Sequence, residues 1–376
     1  MKIGWCMIMV LRLLGLKQEK TYGKLDGEYL ANGDPNPDFD IDDIDPDFHR
    51  RLGDGSFQLN DEPVTYNDGS RMVQGARPGA IKPSGSTAGK CDLTRIGHFL
   101  RAFFDQYKCT TGTAVEGVTY YTHEFYGRED QYLTSFHGWA TFDIFQKHIK
   151  GLLLESLKLE VSDDYMNQNE EWIYMDEESD EIDQAEYDII EVENDIPLMF
   201  YDITIQLDDE DINNPARVYT SFNFEGKNNF NQDGTVGLGS RRPQRQAAAQ
   251  ARDIRVSLNS YLDPSSLELI RGAEYGEKTI TTPSQCKILK VPLRVIVQAC
   301  ENQNERLEMF FPKCTVNVEY SASESDEIET TFNLTALGTG TAELLDNSTV
   351  KTDCYCRLVN TVPEITYEIE EVATEP

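Results

Sequence analysis

No lysine or arginine occurs between Lys158 and Arg217, although aspartate and glutamate recur at roughly every third position there. Several chemical signatures are missing as well. The chain has no CxxC, no HExxH and no GxSxG turn, so nothing marks a zinc site or an activated serine. His49, His98, His123, His137 and His148 show no repeated metal spacing, and His98 is expected to be a packing residue on a helix. Gly85–Cys91 falls one residue short of a phosphate loop and has Cys91 where Ser or Thr would hold the metal. Asp38–Asp47 lacks the glycine and glutamate of a calcium loop, and Asn228–Gly239 carries a single carboxylate. No catalytic residue, cofactor or metal ligand is assigned, and the chain reads as a non-enzyme. A basic stripe is also lacking, which disfavours tight nucleic-acid binding. The opening apolar run, Trp5–Val10 and Leu11–Leu14, is broken by Arg12 and is too short to span a bilayer. It is expected to form a buried first strand or arm.

What is present is acid. The 376 residues carry 66 Asp and Glu against 34 Lys and Arg, a net charge of −32. Such self-repulsion costs stability unless it is dispersed, screened or matched by a partner. Asp163, Asp164, Glu170, Glu171, Asp176, Glu177, Glu178, Asp180 and Glu181 lead the cation-free stretch, with Trp172, Ile173, Tyr174, Tyr187, Ile189, Ile190 and Val192 threaded through it. A disordered acidic tail lacks apolar residues of that kind. The stretch is therefore expected to fold, or dock, while presenting a strongly negative face. Elsewhere, 18 Tyr and 17 Phe supply large buried areas. Eight cysteines are spread too widely for a disulfide framework and are expected to be reduced and half-buried.

Residues 24–92 are rich in Gly, Pro, Asp and Asn and read as an extended arm that makes most sense draped over a neighbouring copy. Asp92 offers an N-cap for a helix over 93–107, where Ile96, Phe99, Leu100, Phe103 and Phe104 recur at helical spacing. Strand patterns then dominate, over 118–125, 136–145, 152–161, 200–207, 218–224 and 253–258, although 144–153 also suits a short helix. A second set follows at 287–299, 307–320, 329–336 and 352–358, with a short helix expected over 263–272. Loop 225–252 holds the only concentrated basic patch, Arg241, Arg242 and Arg245. In so acidic a chain, that patch is expected to meet the acidic surface of another copy.

Several short segments, in order, resemble the tail tube proteins of long-tailed, siphovirus-type phages and related archaeal viruses. Glu19-Lys20-Thr21-Tyr22-Gly23 is similar to the family's opening, and Gly85–Lys90 followed by 93–104 to its small-residue strand and helix. Thr122-His123-Glu124-Phe125 with Leu133-Thr134-Ser135-Phe136 resembles a Thr-His-x-Phe and Leu-Pro-Ser-Phe pairing, with Thr134 in place of the proline. Gly151 with Leu154–Leu159 looks like the strand that follows, and Thr331–Leu337 like the closing strand. The acidic insertion at 162–195 departs from the family.

The resemblance implies a mainly β chain: two β-sandwich or half-barrel units with a flanking helix and long extended arms. Residues 1–92 would form the arm and first strand, 93–205 the first unit with its acidic insertion, and 206–376 the second with loop 225–252. It further implies homo-oligomeric rings stacked into the tail tube of a virion, trimeric with pseudo-sixfold symmetry or hexameric. Such a tube contacts other tail proteins and passes DNA without binding it tightly. A different class stays open from the residues alone, a surface β-sandwich module that binds glycans or cations.

Overall fold

The computed structural model describes residues 11–28, 35–60, 64–66, 75–128, 132–181, 196–208, 217–279, 287–321 and 328–363, apart from 38, 42–43, 45, 113, 116, 143–144, 263, 265 and 301. Residues 1–10 and the apolar positions at 187–192 lie outside that set, so the readings made for them are not addressed. The N-terminal part supplies β1 (Leu11–Gln18), β2 (Phe48–Arg51), β3 (Asp54–Gln58), β4 (Val64–Tyr66), β5 (Gly75–Arg77) and β6 (Ser84–Lys90). Helix α1 (Ile96–Phe103) follows, then β7 (Gln106–Thr111), β8 (Tyr121–Tyr126), β9 (Phe136–Phe142), β10 (Phe145–Val161), β11 (Asn167–Ile173) and β12 (Asp176–Glu181). Next come β13 (Ile203–Leu207), β14 (Tyr219–Lys227), β15 (Phe230–Asn231), β16 (Ala248–Ala249) and β17 (Asp253–Tyr261). Helix α2 (Ser266–Tyr275) precedes β18 (Lys290–Gln298), β19 (Arg306–Ser321), β20 (Glu329–Ala336), β21 (Gly340–Glu343), β22 (Thr349–Thr352) and β23 (Tyr355–Asn360).

The fold is mainly β, and its described pairings are antiparallel. Eight strands form one continuous ladder in the order β3-β6-β11-β10-β14-β17-β20-β19. Along each strand of it, burial alternates with the pleat. In β14, Phe222 and Phe224 turn inward while Asn223 and Glu225 face out; in β17, Ile254, Val256 and Leu258 alternate with Arg255, Ser257 and Asn259. One face therefore packs on the core and the other stays wet.

Two long strands organise everything else. The 17-residue β10 gives its second half to the ladder and its first half to an outer layer ordered β2-β1-β9-β10-β12. The 16-residue β19 does the same, its first half lying in a second outer layer, β13-β18-β19-β23-β8-β7. Each strand changes layer at a residue suited to a bend. In β10 it is Gly151 at φ +69°, a conformation that costs glycine little. In β19 it is Pro312, where the register with β18 shifts. Helix α1 packs on β10, and α2 packs on β19. A single apolar cluster runs beneath both, from Phe99 and Phe103 through Leu157, Phe222 and Phe224 to Phe311 and Phe332. The expected boundary near 206 therefore divides the sequence but not the core. Across that line β14 pairs with β10, and β8 pairs with β23.

Several expectations are corrected. The first helix ends at Phe103, because Phe104 is already extended at ψ 145°, and Gln106–Thr111 forms β7. Asp92 still caps the turn that leads into it, its Oδ1 accepting the Arg95 N–H at 2.7 Å. Residues 144–153 are strand, not helix, where described. Where it is described, the arm pairs within its own chain. β2 pairs with β1, β3 and β6 join the ladder, and Asp47 donates its N–H to Leu16 of the same chain. Thr331–Ala336 lies in β20 and does not close the fold, since β23 follows it in the sheet.

Candidate assembly surface

The wet face of the ladder is a carpet of short polar side chains. Ser56 and Ser86 hydroxyls lie 3.3 Å apart across β3 and β6, Ser156 Oγ donates to Glu171 at 3.0 Å, and Ser257 Oγ donates to Asn333 Oδ1 at 2.7 Å. Thr331 Oγ1 donates to Asn259 Oδ1 at 2.9 Å, and Asn333 Nδ2 to Glu319 at 3.1 Å. Cations on this face sit beside acids: Lys158 beside Glu160, Lys227 by Glu225 at 2.8 Å, Arg255 by Asp253 at 2.7 Å. Lys90 instead rests over the Tyr165 ring, 3.3 Å from its centre. Asp54, Glu171, Glu319 and Glu329 add further carboxylates, so the face is weakly negative and shows hydroxyls and amides for the most part.

Each end of the ladder is an open edge among the described residues. At one end β3 pairs only with β6. At the other, β18 reaches only Thr315 of β19, which leaves the 316–321 portion of that edge without a described partner. Exposed edges invite pairing with another chain, and proteins blunt them with charged side chains. Here the Gly55 N–H is held by the Asp54 carboxylate at 2.8 Å, and Lys147 Nζ donates to the Phe57 carbonyl at 3.0 Å.

The acidic stretch splits four ways. Glu171 reaches the wet face of the ladder. Asp163 and Asp164 are exposed at the end of β10. Asp176, Glu177, Glu178, Asp180 and Glu181 lie on β12, in the outer layer, with Glu177 held by Lys147 at 2.7 Å and by the Tyr174 hydroxyl at 2.6 Å. Glu170 is not on the surface at all and corrects the sequence reading. It is 1% exposed and accepts from Arg50 at 2.6 Å, Thr87 at 2.5 Å and Gln168 at 2.5 Å. Burial of this carboxylate is tolerated because its oxygens are met by a guanidinium, a hydroxyl and an amide. Arg50 belongs to β2 in the outer layer and also donates to the Lys90 carbonyl at 3.2 Å, so the pair pins one layer to the other.

The basic loop leaves β14 and returns at β17, so it stands at the ladder end opposite Asp163 and Asp164. The expected contact with another copy is partly spent within the chain. Arg242 pairs with Asp176, and Arg241 Nε donates to the Gly79 carbonyl at 2.9 Å. Arg245 is exposed and holds no ion pair with a described residue. Between Gly237 and Gly239, Leu238 stands fully exposed. Sequence reasoning passed over it, although an apolar residue flanked by two glycines in a polar loop was the available signal. No known protein family matches the sequence, and no curated protein does.

Proposed function

We propose that the protein is a structural subunit that closes into rings through its ladder edges and stacks into a tube, the tail conduit of a virion. One observation carries the reading. The ladder is two four-stranded halves in series, β3-β6-β11-β10 and β14-β17-β20-β19, joined inside the chain by the antiparallel pair β10 and β14. The open portion of β19 runs in the direction of β10, and β3 in that of β14. The end of one ladder thus offers the next copy the same antiparallel junction that the chain already makes internally. Three ladders close a barrel of 24 strands. At about 4.8 Å between strands and about 40° of tilt, its backbone diameter is about 48 Å, which leaves a bore of about 35 Å inside the side chains.

The wet face would then line the bore. Its cations lie against carboxylates or a tyrosine ring, so few are offered to phosphate groups, and its hydroxyls and amides carry no charge. A polyanion such as DNA passes such a wall with little to hold it, and its repulsion reaches only about 8 Å at physiological salt. The charged residues of β12 decorate the outside.

Negative-stain microscopy and light scattering of the purified protein test this directly. Rings of about 128 kDa, three times the 42.7 kDa chain, or tubes built from them, are expected. A monomer that persists at high concentration would overturn the reading. Gly55→Pro removes the N–H held by Asp54 and puts a proline in the edge strand, a place where a sheet tolerates one but which a further strand does not pair with well. The variant should melt like the wild type and form no rings; rings at wild-type yield would remove β3 from the junction.

A further inference from the structure

Beside the ends of β10 and β14 lies a groove of about 620 Å³, lined by Phe200, Ile203, Ile205, Val218, Tyr219 and Phe222 among others. It is mostly apolar, yet Phe200 is 48% and Val218 73% exposed. Tyr201, beside it in sequence, is 58% exposed. Large apolar side chains left open together in this way mark a contact surface. Asp163 stands exposed in its lining, and Asp164, exposed next to it, accepts the N–H of the lining residue Phe200 through its carbonyl at 3.1 Å.

The opposite end of the same strands carries a counterpart of matching chemistry. Strand β14 starts at the groove with Tyr219 and ends at Lys227, where the basic loop departs. At the loop's tip Leu238 projects with its whole side chain in solvent, and Gly239, at φ +90°, has open space around it. Arg245, also exposed, lies on the same loop. The loop is braced from beneath, since Ile81 donates its N–H to the Arg241 carbonyl at 2.7 Å and Gln246 Nε2 donates to Leu133 at 2.6 Å. A braced loop with an apolar tip loses little freedom when it docks.

We infer that Leu238 of one copy inserts into the groove of a second copy in the next ring, with Arg245 meeting Asp163 and Asp164. The occupant is a copy of this chain because both halves of the contact are on it, at opposite ends of one strand and opposite in charge. A head-to-tail contact of this kind propagates without closing, as a stack requires. The inference rests on the ring reading and adds to it the device that sets one ring upon another. Each junction between trimeric rings would hold three copies of the contact, so the loss of roughly tenfold per contact multiplies.

Leu238→Asp tests it without threatening the fold, since the residue touches solvent only. The variant should form rings of normal mass but no tubes, whereas wild-type tube lengths would overturn the inference and leave the ring reading standing. The pairing itself is read by Leu238→Cys combined with Val218→Cys under mild oxidation, each single variant serving as control. Disulfide-linked ladders of copies are expected from the double variant alone. A bond confined to one copy, or none, overturns the contact. For the charges, Arg245→Glu should shorten tubes at least tenfold, and adding Asp163→Lys with Asp164→Lys should restore them. Absence of that rescue removes the electrostatic part.

Discussion

At the scale of single residues, the decisive side chains are buried acids whose positions are set by their neighbours' phase. In β11, Gln168, Glu170 and Trp172 share one face of the strand, so the burial of Trp172 carries Glu170 inward. That much was legible in the alternation. Its partner Arg50 lies 120 residues away, and no local pattern announces it. Glu19 is a second case. It is 4% exposed and accepts the N–H groups of Gly23 and Gly151 at 2.7 Å each, yet burial outweighs those bonds and raises its carboxyl from the ordinary 4.5 to about 7. The sign follows. Its contribution is fully present below about pH 4.5 and is lost as pH rises through about 7, a difference on the order of 3 kcal/mol. Chemical denaturation from pH 4 to 8 should show Glu19→Gln flattening that part of the profile; an unchanged slope would show the carboxyl to be ionised throughout.

At the scale of elements, strands with strict period-two alternation are the ones the sequence announces. The 329–336 strand has the bounds its pattern predicts, and 203–207 falls inside the expected 200–207 run. Reading fails where both faces are buried. Every residue of β9 is buried, so alternation vanishes there. The first half of β10 inherits the same ambiguity, which is why 144–153 also suited a helix. The helix ending at Phe103 was overestimated because Phe104 is apolar at helical spacing but extended. What joins the layers is the bend at Gly151. A Cβ there would stand 2.9 Å from Met175 and Tyr22 at φ +69°. Gly151→Ala should therefore cost about 2 kcal/mol or more and lower the melting temperature by several degrees. A neutral result in thermal denaturation would mean that the bend relaxes elsewhere.

At the scale of the whole molecule, the sequence announced acidity but not its distribution. Carboxylates that stand together in sequence end up on the ladder face, on the outer layer, at a strand end and in the core. The net charge of −32 still opposes the approach of like copies. The Debye length falls from about 30 Å at 0.01 M salt to about 8 Å at 0.15 M, so ring formation should rise across that range. Light scattering at constant protein concentration checks this; fewer rings at the higher salt would show that attraction between opposite charges governs closure. A final consequence belongs to the two bent strands. Because β10 and β19 each belong to the ladder and to an outer layer of their own, neither outer layer can be peeled from the ladder as a separate sheet. Any pull that separates them must tear β10, which is bonded along both margins, and β19 with it, many bonds at once, and the conduit we propose would resist bursting by the continuity of its own backbone.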